Sequence, residues 1–265
     1  THPEVKDRND ATKLQPVGTA LYLGYGPVDV GNKLKRNSAV APAQSRTLQV
    51  SLPAAEDGRF KEVIRLAHLF GALGSRSRNG WGSLHFDDGG LKSEEIGNML
   101  TPSNRPAREW LRRYGRDWKQ ALDTDWCHAL GNDEKGLLLW TTGKKATWEE
   151  VLKIFAEVKI AFRTQFHFKG GGQHAAMCDR HVLAYPITNH SLKGWERSAN
   201  QIVFKVLPLG NQHVGLIVHL PHRLPEMLKA KLNDVDQRSL ATREQQVFEK
   251  VHQVLDAKEQ LARLP

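Results

Sequence analysis

With 265 residues, 40% of them hydrophobic and 25% charged, the chain has an ordinary globular balance and enough apolar material for one large domain or two small ones. No apolar run approaches the roughly 18 residues needed to cross a bilayer, and two cysteines, Cys127 and Cys178, exclude a disulfide framework and fit a reducing cytoplasm. Lys and Arg number 38 against 29 acids, a net charge of +9, which is the footprint of a polyanionic partner or of a basic protein that merely stays soluble, so arrangement has to decide. The opening Thr1-His2-Pro3-Glu4 is neither an initiator methionine nor a signal sequence, as expected of a piece of a longer product.

In chain order, residues 19–25 read as a short strand, followed by a polar stretch with Pro and Gly over 26–45. The strict alternation of 47–52, with Leu48, Val50 and Leu52 on one face, predicts a half-buried strand. A helix is expected over 59–73, where Phe60, Val63, Ile64, Ala67, Phe70 and Leu73 share one face and Lys61, Glu62, Arg65 and His68 the other. The glycine-rich loop 74–82 ends it, and a strand is expected over 83–86. Around Pro106 begins a helical pattern with Trp110, Leu111, Tyr114, Trp118 and Leu122 as its apolar stripe. Thr147-Trp148-Glu149-Glu150 is a capping box that opens a further helix carrying Val151, Leu152, Phe155, Val158 and Phe162. Beyond Gly170-Gly171-Gly172, a strand is expected at 181–185. Strands at 202–207 and 214–220 are joined by Gly210-Asn211 as a hairpin. A last helix starts near Ser239 or Thr242.

The loop is the most unusual segment. Gly74, Gly80 and Gly82 let backbone amides approach a phosphate. Arg76 and Arg78 supply guanidinium forks, Ser75 and Ser77 supply hydroxyls, and Trp81 supplies a face for a base or ribose. The plain alternative is a tight turn whose glycines serve packing. No Gly-Lys-Ser/Thr follows, and the loop leads from helix to strand, the reverse of a dinucleotide-binding turn; ATP and NAD are therefore not indicated, and no cofactor or small-molecule substrate is expected. A second basic surface is predicted where Arg105, Arg108, Arg112, Arg113, Arg116 and Lys119 share one helix, with Arg108, Arg112 and Arg116 four apart along a ridge. The alternative is a solvated face, or one that docks on a neighbour's acids. Lys169, beside the glycine run, is either an RNA-facing residue or part of a linker.

The succession of helix, Gly74-Ser75-Arg76-Ser77-Arg78-Asn79-Gly80-Trp81-Gly82 and strand resembles the signature of RAMP proteins of CRISPR systems. It is nearest to the first-named subunit of the Cmr (type III-B) module, whose loop reads roughly G-x-R-S-R-R-G-x-G. Residues 181–186, then Glu196-Arg197-Ser198-Ala199-Asn200 and the hairpin, resemble that family's late block. Asn79 stands where a third arginine is common, Ala199-Asn200 replaces Ser-Pro, and the family's amino-terminal block is absent. The resemblance implies an α+β, ferredoxin-like (RRM-like) RAMP core with helical insertions. Its core would span 17–90, a mainly helical insertion 91–180, and the late strands, hairpin and last helix 181–265. It also implies binding of guide RNA, and of target RNA in a guide–target duplex, among other CRISPR effector subunits. The contacts would be Arg76, Ser77, Arg78, Gly80 and Arg197, with Gly74, Ser75, Asn79 and Trp81 beside them.

No catalytic residue is expected. Some RAMP relatives cut guide precursors with a histidine, for which His68 and His85 are the candidates, but those nucleases carry their glycine loop near the carboxyl end. His174, Cys178 and His181, with Cys127-His128, have spacings conceivable for zinc but lack a paired C-x-x-C, so no metal is expected. The rival readings are a metal-independent endoribonuclease and a subunit that touches only protein.

Overall fold

The computed structural model describes residues 4–6, 14–16, 19–24, 44–74, 76–87, 89–125, 127, 129–168, 170–185, 187 and 189–265. Ser75, His128 and Lys169 and most of the stretch 26–45 lie outside the described residues. The architecture is mixed α+β. Nine elements position the candidate site: α1 (Thr19–Gly24), α2 (Asp57–Phe70), β1 (Leu139–Lys145), α3 (Trp148–Arg163), α4 (Asp179–Leu183), β2 (Ile202–Leu209), β3 (Gln212–His219), α5 (Asp234–Asp256) and β4 (Ala262–Arg263).

The main sheet is antiparallel, in the order β4-β1-β3-β2. Its chain connectivity is strand–helix–strand–strand–helix–strand, running β1-α3-β2-β3-α5-β4. The β2–β3 hairpin turns at Gly210-Asn211, in register Leu209↔Gln212, with Gly210 at φ +62° as a two-residue turn requires. Where β3 crosses β1 the register slips between Val214 and Leu216, and a Cβ on Gly215 would come within 2.6 Å of Phe155 and Thr142. Glycine therefore lets α3 sit close on the sheet.

Both faces of this sheet are covered. Trp140, Ile202, Phe204 and Ile217 pack against Val151, Leu152, Phe155, Val158 and Phe162 of α3 and Val247, Phe248 and Val251 of α5. On the other face Leu139, Val203, Leu207, Leu216 and Val218 meet Leu69 of α2 together with Ile96, Met99, Leu111 and Leu264. Burial on two sides explains why β2 and β3 read as nearly continuous apolar runs instead of alternating. The capping box at Thr147 forms in both directions, Glu150 N–H to Thr147 Oγ1 at 3.3 Å and Thr147 N–H to Glu150 Oε2 at 3.1 Å.

Several expected elements differ. Residues 19–24 are helical, not a strand, and Leu23 is fully buried; a run this short satisfies either period, and packing decides. The same holds at 181–185, where α4 ends at Leu183 and only Tyr185 makes a bridge, to Ser198. Residues 47–52 adopt no regular structure, and Leu48 is 71% exposed: alternation makes a strand only where a sheet edge receives it. Residues 83–86 contribute one bridge, Ala72↔Ser83. The helix expected beyond Pro106 is broken at Gly115, which opens a short strand, Gly115–Asp117, between the one-turn helices Glu109–Arg112 and Trp118–Ala121. The range 91–180, expected as an insertion, supplies the sheet's inner strand β1 and helix α3.

Candidate nucleic-acid interface

The glycine-rich loop wraps the free edge of β2. Leu73 N–H donates to Gly82 O at 2.8 Å and closes its neck. Buried Lys205, from β2, reaches the carbonyls of Gly71 and Leu84, each at 2.5 Å, and clips the two stems together. Outer N–H groups of β2 that would otherwise lack partners are taken by the loop: Phe204 N–H donates to Arg78 O at 3.2 Å and Val206 N–H to Ser83 Oγ at 3.0 Å. An edge strand capped in this way cannot recruit another strand. Burial draws the Lys205 pKa down to about 7.

The loop divides its residues between inside and outside. Gly80, at φ +87°, has room for no Cβ, which would lie 2.8 Å from Leu152. On Gly82 a Cβ would collide with the Leu73 carbonyl. Asn79 is turned inward, donating to Leu23 O at 2.9 Å and accepting from Lys159 Nζ at 2.5 Å. Trp81 packs edge-on against Trp148 (6.0 Å) and lies against Gly24. These four give the loop its shape, and the side chains of Asn79 and Trp81, expected as ligand contacts, are engaged with protein groups instead. Gly74, at φ +101°, faces open space.

Arg78 donates to Asn200 O at 2.6 Å and reaches Cys127 Sγ at 3.9 Å, which ties the loop to the segment before β2. Arg76, half-buried beside Ser77, has a different setting. Its pKa is lowered first by burial and then by the charge of Arg197, which is exposed in the late block. Next to it, Lys159 is brought down to about 7 by burial, then by Arg163 and Arg76. Arg180 is lowered by burial and then by Arg163. A chain of cations therefore runs Arg197–Arg76–Lys159–Arg163–Arg180, and no described acid pairs with any of them. Asp179, adjacent to Arg180, turns instead to Arg243 at 3.6 Å. Beside Arg197 a shallow cavity of about 520 Å³ is lined by Tyr185, Trp195 and Glu196. Lys159, Arg163 and Arg180 were not singled out from the sequence; their signal is the four-residue spacing of Lys159 and Arg163 on an otherwise buried helix.

The predicted arginine ridge does not assemble. Arg108 is buried and donates to Met99 O (2.7 Å), Thr101 O (2.8 Å) and Pro102 O (2.9 Å). Arg112 meets Glu109 at 3.6 Å, Arg113 pairs with Glu62, and Arg116 donates to the carbonyls of Arg113 and Gly115. With the helix broken at Gly115, these side chains no longer share a face.

His68, expected on a solvated face, is fully buried. Its Nδ1 accepts from Leu91 N–H at 3.2 Å, so Nε2 carries the proton toward His85 Nδ1 at 2.9 Å, and His85 Nε2 faces Asp87 at 3.3 Å. Burial, then His85, lowers its pKa to about 4. Among the described residues no group of three or more His, Cys, Asp or Glu side chains could hold a metal ion, and no helix is long and apolar enough to cross a membrane. Against protein-family models, curated proteins and solved structures, the chain finds no match.

Proposed function

We propose that the chain is a non-catalytic RNA-binding and assembly subunit of a type III CRISPR ribonucleoprotein, built on a RAMP-type ferredoxin-like unit. The observation that carries the reading is the meeting of Arg76 with Arg197. They belong to the two separate segments whose residues resemble the RAMP signature, and they stand together uncompensated, with Arg78 bonded across to Asn200. The strand–helix–strand–strand–helix–strand connectivity of β1 to β4 supports the ferredoxin-like part of this reading. The loop on its edge would offer Arg76, Ser77 and the open backbone at Gly74 to phosphates, while the cleft at Tyr185 and Trp195 would lie beside a base. Guide RNA is the ligand the resemblance points to, with other effector subunits as neighbours. Of the two histidines that an endoribonuclease reading would use, His68 is buried, neutral and held by Leu91, a poor general acid at physiological pH, which leaves that reading His85 alone.

Gel-shift titration with single-stranded RNA at two salt concentrations tests this. Arg76→Ala/Arg197→Ala should weaken binding about tenfold or more and reduce the salt slope by roughly 1.4, from two lost phosphate contacts on a single strand. Arg112→Ala/Arg116→Ala should stay within about twofold. Wild-type protein that binds no RNA at low salt, or a double variant that binds like wild type, would end the proposal.

A further inference from the structure

Beyond the loop, the row of cations continues to a place where no sequence signature points. Lys159 and Arg163 lie one turn apart on α3, and α4 carries Arg180, whose charge acts on Arg163. The two guanidiniums are held on aromatic faces, Arg163 over Tyr22 at 6.0 Å and Arg180 over Phe168 at 5.7 Å. Phe168 is itself stacked on His190, with centroids 3.7 Å apart and planes within 10°. The Nε atoms of both arginines are buried without a hydrogen-bond partner. Arg163 stands against both Lys159 and Arg180, and none of the three pairs with a described acid, an arrangement that costs folding free energy unless an anion completes it. Arg180 also shares a side-chain hydrogen bond with Tyr22, and the planar guanidinium forks match the oxygens of a phosphate.

We infer that Arg163 and Arg180, beside Lys159, form a second anion site that takes a phosphate of the same RNA strand whose first contacts are Arg76 and Arg197. The inference rests on the RNA-binding reading for its ligand but not for its geometry. A strand would pass from the late block across α3 to α4, and the row of cations sets that path.

The test uses the full chain and two probes, a labelled single-stranded RNA and inorganic phosphate. In Arg163→Gln/Arg180→Gln, RNA affinity should fall about tenfold and the salt slope by roughly 1.4. Thermal melts of wild type should rise with phosphate relative to chloride at matched ionic strength, and this rise should vanish in the variant. An unchanged RNA affinity and slope, a retained phosphate response, or competition by polyglutamate equal to that by RNA of the same charge would overturn the assignment. Loss of RNA binding only on Arg76→Ala/Arg197→Ala would leave the first reading standing without this one. A wild type that ignores RNA but shows a phosphate response lost in the variant would do the reverse. If the glutamine variant does not fold, Arg163→Lys/Arg180→Lys decides: it keeps the charge and removes the fork, so the phosphate response should drop while the salt slope persists.

Discussion

Two arginine-rich regions of this protein have opposite fates. From Arg108 to Arg116 the guanidiniums are engaged internally: Arg108 on carbonyls, Arg112 and Arg113 on acids, Arg116 on its own turn. From Arg197 through Arg76 to Arg180 they stand against one another with no acid between them. Charge density along the chain is higher in the first region, yet there Arg112 and Arg113 pair with acids, whereas no cation of the second pairs with a described acid. Uncompensated charge in three dimensions, and not a count of basic residues, marks a surface that waits for an anion.

The comparison breaks most readily at Arg108. Its guanidinium closes the carbonyl end of the short helix Ser93–Met99 and is 1% exposed, so Arg108→Ala should cost about 3 kcal/mol of stability in urea unfolding while leaving RNA affinity per folded molecule unchanged. A loss of RNA affinity with unchanged stability would place Arg108 in the wrong region.

A pH effect follows from the two buried lysines. Lys159 and Lys205 titrate near 7 in the folded chain against about 10.5 when unfolded. Between those values the unfolded state binds more protons, so stability should rise with pH from about 7 toward 10. Lys159→Met should flatten part of that rise, and urea midpoints across the range measure it. RNA affinity at fixed salt should move the opposite way, weakening as Lys159 loses its charge. A flat stability profile would mean that neither lysine is depressed.

The smallest effect concerns the two thiols. Partial burial raises the pKa of Cys127, but the hydrogen bond and charge of His222, then Arg78, outweigh this and hold it below the ordinary value. Burial raises that of Cys178. Iodoacetamide near neutral pH should therefore alkylate Cys127 several-fold faster than Cys178, and His222→Gln should narrow the gap. Equal rates would show that Arg78 and His222 do not face the sulfur as described.

What could be read in advance followed from local rules strong enough to stand alone. The Thr147–Glu150 capping box, the Gly210-Asn211 hairpin and the helix α2 appear within a few residues of their expected bounds, because each depends on contacts only a few positions apart. The buried face of α2 does not follow the expected stripe, since Val63 and Leu73 are exposed and His68 is buried. The loop was legible as a unit for the same reason: glycines at φ above +60° announce themselves. The roles of its residues were not. Asn79 and Gly80 look like ligand contacts in the sequence, and only the proximity of α3 turns them inward. Short apolar runs at 19–24 and 181–185 carried no period to separate helix from strand, and a single glycine, Gly115, dismantled the arginine ridge.

The sequence by itself determined the basic excess, the caps and turns, the apolar hairpin strands, and the two segments on which the proposed function rests. Tertiary structure alone decided which strands share the sheet, which arginines find acids, and that Arg76, Lys159, Arg163, Arg180 and Arg197 come together. The physical reason is one of range. Backbone preference acts over a few residues and can be read along the chain, whereas electrostatic compensation depends on which distant segments the core brings within a few ångströms.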